Sequence, residues 1–159
     1  MIKNYLWIFF ISMVPLIELR GAIPVSQALQ MPIIPSYIVS IIGNMIPVPI
    51  IYFFARKVLV WGSDKKLIGK LFTAILEKGT KAGQKIQEKA GKGFFIALLL
   101  FVGIPLPGTG AWTGTLAASL LGLSFKETVI SVILGVLLAG LIMMAGSFGL
   151  FSALFAISG

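Results

Sequence analysis

The chain has 159 residues, of which 58% are hydrophobic and only 11% charged, with a mean hydropathy of +1.04. A soluble domain carries about 25% charged residues, so this composition describes an integral membrane protein of one domain. With no Cys and no His, disulfides, thiolate chemistry, haem and the usual zinc sites are excluded, and neither cofactor nor metal is expected.

The opening run, "MIKNYLWIFFISMVPLI", has the charged start and apolar stretch of a signal peptide. It is followed by "ELRGAIP" and not by a small-residue cleavage site, so it is expected to remain in the mature protein. Residues 4–17 are too few to cross a hydrocarbon core of about 30 Å at about 1.5 Å per residue. Next comes "ELRGAIPVSQALQMPIIPS", interrupted by Pro24, Pro32 and Pro35. Residues 36–55 are long enough to cross and end at Arg56-Lys57.

Ten of the thirteen Lys and Arg residues lie between Arg56 and Lys92, together with three of the five acids. A net +7 in one segment suggests a nucleic-acid patch, but aromatics for base stacking are not interleaved with it. The positive-inside rule accounts for it better, as a cytoplasmic connector over residues 58–93. Leu67, Leu71 and Ile75 recur at four-residue spacing, as do Ile68, Phe72 and Leu76, with Lys65, Lys66 and Lys70 between them. This predicts an amphipathic helix lying on the inner leaflet or on the protein's own bundle. Gly79, Gly83, Gly91 and Gly93 are expected to loosen it.

The connector separates a first repeat (1–57) from a second (94–159). Residues 94–104 are again short and apolar, followed by "PLPGTGAWTG", a small-residue run to Leu123, the polar break "SFKE" and the apolar stretch 128–158. That last stretch exceeds one untilted crossing, which predicts a break near Gly146 or Gly149. "PLIELRGA" (15–22) lines up with "PLPGTGA" (105–111) at an offset of 90 that slips to 89. If the connector is cytoplasmic, helix 36–55 runs inward and its hairpin enters from outside. The second hairpin then enters from the cytoplasm, which places Lys126 inside; Lys3, outside, is the one contrary charge. The predicted fold is therefore an all-α polytopic membrane protein made of two inverted-topology repeats. Each repeat is a re-entrant helical hairpin plus a transmembrane helix.

Pro-interrupted half-helices in matching positions mark the expected binding site, because irregular backbone at membrane depth needs burial or a wet cavity. Glu18 and Arg20 fall at the first hairpin tip, and an ionisable residue there is a functional candidate. Two other roles stay open: a structural pair, since residues two apart in an extended segment share a face, or solvated charges at the interface. Pro24, Asn44, Pro105, Pro107, Gly108, Thr109, Gly110 and Trp112 complete the candidate cavity. Asn44 precedes Pro47 and Pro49, which free carbonyls near residues 43–45; either a polar lining or a satisfied interhelical hydrogen bond follows. Gly110, Gly114, Ala118 and Gly122 form a small-residue stripe, as do Ser131, Gly135 and Ala139, and both are read as close helix packing.

"GNMIPVPIIYFFARK" (43–57), with Tyr52 and Arg56, resembles the pattern of the DedA/SNARE-associated (VTT) superfamily, in which Asp stands at the place of Asn44. Pro107-Gly108 and Ser124-Phe125-Lys126 resemble its second hairpin. "PLIELRGAIP" with "GIPLPGTGAWTG" is more similar still to the small multidrug export protein family, a compact relative. The resemblance implies a transporter with two opposed hairpins. Its DedA side implies polyprenyl-phosphate lipid carriers and proton-motive-force-dependent drug resistance. Ile104 and Gly110 stand where the DedA pattern has two arginines, so phosphate recognition would rest on Arg20 and backbone N–H groups at half-helix starts.

No His, Cys, paired carboxylates or serine elbow support an enzyme. The leading expectation is a proton-coupled flippase or transporter of an amphipathic substrate such as a lipid phosphate. In it Glu18 carries the proton and Arg20 is its partner or the anion contact. Export of cationic or amphipathic compounds, lipid scrambling and a structural or assembly role are the alternatives. Membrane lipids, a homodimeric partner, no nucleic acid and a multi-pass inner-membrane location complete the reading.

Overall fold

The computed structural model describes residues 2–65, 69–90 and 93–158. Its helical segments are α1 (Ile2–Met13), α2 (Glu18–Ala28), α3 (Ile33–Met45), α4 (Pro47–Ser63), α5 (Gly69–Ala90), α6 (Gly93–Gly103), α7 (Ala111–Leu120) and α8 (Phe125–Ser158). No strand occurs among the described residues.

Two stretches are long and apolar enough to cross a membrane, Ile33–Ser63 (31 residues) and Phe125–Ser147 (23 residues). The first is the α3–α4 helix, and it exceeds the expected 36–55 at both ends. Pro32 supplies its N-cap residue and Pro35 sits within the first turn, where a missing N–H costs nothing. Proline there starts the helix, contrary to the interruption expected at Pro32 and Pro35. Further along, Pro47 and Pro49 cannot donate to the carbonyls of Gly43 and Met45, which interrupts the hydrogen-bond ladder at Ile46. Beyond Arg56-Lys57 the helix continues to Ser63.

One more expectation, the break near Gly146 or Gly149, fails on helix continuity. α5 runs unbroken through Gly79 and Gly83, because its straight-chain Lys, Leu, Gln and Glu residues favour helix enough to carry two glycines. Leu67, Ile68 and Gly91 lie outside the described residues. α8 passes Gly146 and Gly149 without a break. Isolated glycines weaken a helix without ending it, and neither has a neighbour that demands a turn.

The polarity is inverted relative to a soluble protein. Large apolar side chains such as Trp7, Phe10, Ile34, Phe54 and Leu141 face outward, while Ser12, Ser26, Ser36, Ser40, Asn44, Thr115, Thr128 and Ser131 are buried. In lipid the apolar exterior needs no cover, and polar side chains serve between helices.

Tyr37 donates to Leu137 O at 2.9 Å and packs against Gly140, while Tyr52 donates to Leu123 O and packs on Phe125. The α3–α4 helix and α8 therefore run antiparallel. Each is approached by a preceding short helix at a glycine. A Cβ on Gly43 of α3 would lie 2.5 Å from Phe9 O of α1, and one on Gly135 of α8 would lie 2.8 Å from Leu99 O of α6. The α1–α2–α3 and α6–α7–α8 trios share this close approach. Gly114, beside Val102, and Gly135 support the packing reading of both small-residue stripes.

Candidate functional site

Between α1 and α2 the chain turns tightly, with Leu16 (φ 73°) and Glu18 (φ 49°) in the left-handed region. For non-glycine residues such backbone costs roughly 1–3 kcal/mol each and persists only where surroundings enforce it. What the turn achieves is the aim of Glu18.

Glu18 is 4% exposed, and its carboxylate reaches the first turn of α7. Oε2 accepts the N–H of Ala111 at 3.2 Å and Oε1 that of Trp112 at 3.0 Å. The α7 N-cap position is Gly110, which offers no side-chain cap of its own. Glu18 thus supplies from the other hairpin the acceptor that a helix start needs, with charge favoured by the dipole. Gly110 takes φ 137°, and a Cβ there would fall 2.2 Å from Glu18 Oε2. Both the backbone angle and the contact require glycine.

Arg20 lies in the first turn of α2 and faces the end of α6. Its guanidinium donates to Leu106 O, to Val102 O at 3.0 Å and to Ile104 O at 3.3 Å. These are carbonyls of a helix C-terminus and the loop after it, which lack intrahelical donors. Glu18 and Arg20 do not pair with one another. In a helix, residues two apart diverge, so the face-sharing that an extended segment would have given is absent.

Trp112 completes a reciprocal arrangement, since its indole Nε1 donates to Met13 O at the end of α1 at 3.1 Å. The second hairpin tip is closed by Thr109, whose hydroxyl donates to Ile104 O and Leu106 O, both at 2.9 Å. Gly108 turns the chain at φ 80°.

Beside this junction a groove of about 570 Å³ opens between α4 and α7. Pro15, Leu16, Thr109 and Glu18 form one end, and Phe54, Val58, Trp112 and Leu116 line its walls. Among the described residues, Glu18 is the one ionisable residue in the lining. A cleft of this size with one buried charge matches the general form of small-molecule sites.

Of the residues expected in the cavity, Glu18, Thr109 and Trp112 line the groove. Gly110 lies against Glu18 and Arg20 against the end of α6, and Pro105, Pro107 and Gly108 build the loop between α6 and α7. Pro24 and Asn44 are elsewhere: Pro24 lies inside α2, and Asn44 is buried in α3. Asn44 Oδ1 has no hydrogen-bond partner, so the satisfied interhelical bond is not formed by this oxygen. The α4 wall carries no signal in the sequence, because outward Phe, Val and Ile at helical spacing look the same whether lipid or a groove lies beyond.

The family model described as "Putative small multi-drug export protein" matches residues 18–142, more than half of the chain. No curated protein and no solved structure matches. With two apolar helices of spanning length, the match marks a membrane protein. The chain belongs to the small multi-drug export protein family.

Proposed function

We propose that the protein exports amphipathic cations, binding them in the α4–α7 groove and coupling their movement to protons at Glu18. The observation that carries this reading is a 570 Å³ apolar groove whose one ionisable residue, an acid, also caps a helix of the opposite hairpin. An apolar cation would bury its body against Phe54, Val58 and Leu116 and its charge toward Glu18. A proton or a cation on the carboxylate weakens its hold on the Ala111 and Trp112 amides, and the hairpins separate. Competition between ligand and latch is the coupling.

The repeated glycine approach, the antiparallel spanning helices and the reciprocal capping support two inverted repeats with re-entrant hairpins, joined by a cytoplasmic connector. In this reading the protein is a multi-pass inner-membrane transporter, not an enzyme, and works as a homodimer. A lipid-phosphate cargo finds less support. Its anion would depend on Arg20, whose guanidinium is engaged by three carbonyls, and no cation among the described residues lines the groove.

The test is equilibrium binding of a fluorescent lipophilic monocation to the purified protein. Leu116→Trp, which fills the groove, should weaken it at least about tenfold, a loss of ~1.4 kcal/mol. Unchanged affinity in that variant would refute the groove.

A further inference from the structure

α4 presents two faces to two different clefts. Ile51, Phe54, Ala55, Val58 and Leu59 line the groove against α7, whereas Tyr52, Phe53, Arg56, Lys57, Val60 and Trp61 line a second cleft of about 490 Å³. The two sets share no residue and alternate at helical spacing, so the second cleft lies on another side of the helix. Packing across two elements frames it. Phe53 and Tyr52 lie on Phe125, the first residue of α8, with ring centroids 4.8 and 5.2 Å apart. The Tyr52 hydroxyl donates to Leu123 O, and the Tyr52 carbonyl accepts the Ser119 hydroxyl at 2.7 Å. At the far end Lys65 stands over the Trp61 ring, 4.5 Å from its centroid, which holds the indole and brings a third cation near.

Depth and charge point to the occupant. Residues 33–55 carry no charge, and Arg56 and Lys57 end that run. The α3–α4 helix of 31 residues exceeds the ~20 that a hydrocarbon core needs, so its charged end emerges at the headgroups. Trp and Tyr favour that same level. Among the described residues no acid lines the cleft. Asp64 and Glu77 line a different cleft together with Lys70, and Glu127 accepts the Ser124 hydroxyl at 2.7 Å. Beside the cations, Phe53 and Val60 are 53% and 51% exposed, apolar surface that a soluble anion would leave bare.

We infer that this cleft holds one anionic phospholipid, its phosphate between Arg56 and Lys57 and its acyl chains along Phe53 and Phe125. Basic pockets at the headgroup level suit lipid phosphates. Arg56 offers a planar fork to the phosphate oxygens and Lys57 a compact charge. A zwitterionic lipid has no net charge to set against these cations. The lipid is resident and not cargo, since no residue of its cleft lines the α4–α7 groove. The inference does not rest on the export reading.

The experiment is equilibrium binding of a fluorescent phosphatidylglycerol to the delipidated full chain in neutral detergent. Saturable binding is expected, displaced by unlabelled phosphatidylglycerol but by neither phosphatidylcholine of the same chain length nor inorganic phosphate. Arg56→Gln and Lys57→Gln, both at exposed positions, should each weaken it about fivefold or more. Arg56→Lys keeps the charge and should lose less than Arg56→Gln. Lys3→Gln removes the same charge from the start of α1, outside the cleft, and should bind as the parent does. Absence of saturable binding by the folded parent overturns the inference. So does equal displacement by phosphatidylcholine, displacement by phosphate alone, or a loss in Lys3→Gln as large as that in Arg56→Gln. Binding of a lipophilic monocation reports the groove separately, so failure here leaves that reading untouched.

Discussion

The backbone N–H of Trp112 donates to Glu18 Oε1 at 3.0 Å, and the indole of the same tryptophan donates to Met13 O at 3.1 Å. One residue at the start of α7 therefore ties down both the end of α1 and the start of α2. With Arg20 on the carbonyls at the end of α6 and in the loop after it, Glu18, Arg20 and Trp112 each serve backbone groups at helix ends of the other half.

Removing the Glu18 cap leaves two buried amides without an acceptor. Glu18→Ala should cost about 2 kcal/mol, and Glu18→Gln, which keeps one acceptor oxygen, about 1 kcal/mol. Thermal unfolding in detergent would show Tm losses of about 2–4 °C per kcal/mol in a chain of this size. Gly110→Ala pushes against the same carboxylate, so in the Glu18→Ala background it should cost less than in the parent, keeping only the part due to its backbone at φ 137°; a double-mutant cycle with simple additivity would count against the contact.

Arg20 acts through a planar fork that serves three carbonyls, a geometry that lysine does not reproduce. The chain has no cysteine, so a spin-label pair at Leu16 and Leu106, both exposed at the hairpin tips, is straightforward to introduce. The distance distribution should be narrow with Arg20 present and broad in Arg20→Met and Arg20→Lys alike. A narrow distribution in Arg20→Lys would mean that charge alone holds the hairpins.

The paired glycine approaches predict matched effects in the two halves. Gly43→Ala and Gly135→Ala each drive a methyl into backbone, at 2.5 Å from Phe9 O and 2.8 Å from Leu99 O. Each should destabilise by roughly 1–3 kcal/mol through overpacking. Gly146→Ala, with nothing within 4 Å, should be neutral or gain up to about 1 kcal/mol of helix propensity. Equal Tm values for all three would contradict the packing.

Much of this architecture was legible in the sequence. The long apolar stretches identified the two helices of spanning length, and the four-residue spacing in the basic connector identified α5. Glu18 and Arg20 were singled out because charges are rare among apolar neighbours. Their true partners were not legible, since Ala111, Trp112 and Val102 lie more than eighty residues away and are met through backbone atoms that carry no sequence signal. Helix lengths differ where proline and glycine look like breaks in the sequence: Pro32 and Pro35 begin a helix, and Gly146 is carried within one.

The central claim is that Glu18 couples cargo in the groove to protons. It is tested most directly by flux of a fluorescent lipophilic monocation in proteoliposomes of the parent chain and Glu18→Gln, with and without a pH gradient. The account predicts gradient-driven flux in the parent and flux indifferent to the gradient, or lost, in folded Glu18→Gln. Flux with the same rate and the same gradient dependence in Glu18→Gln would contradict it.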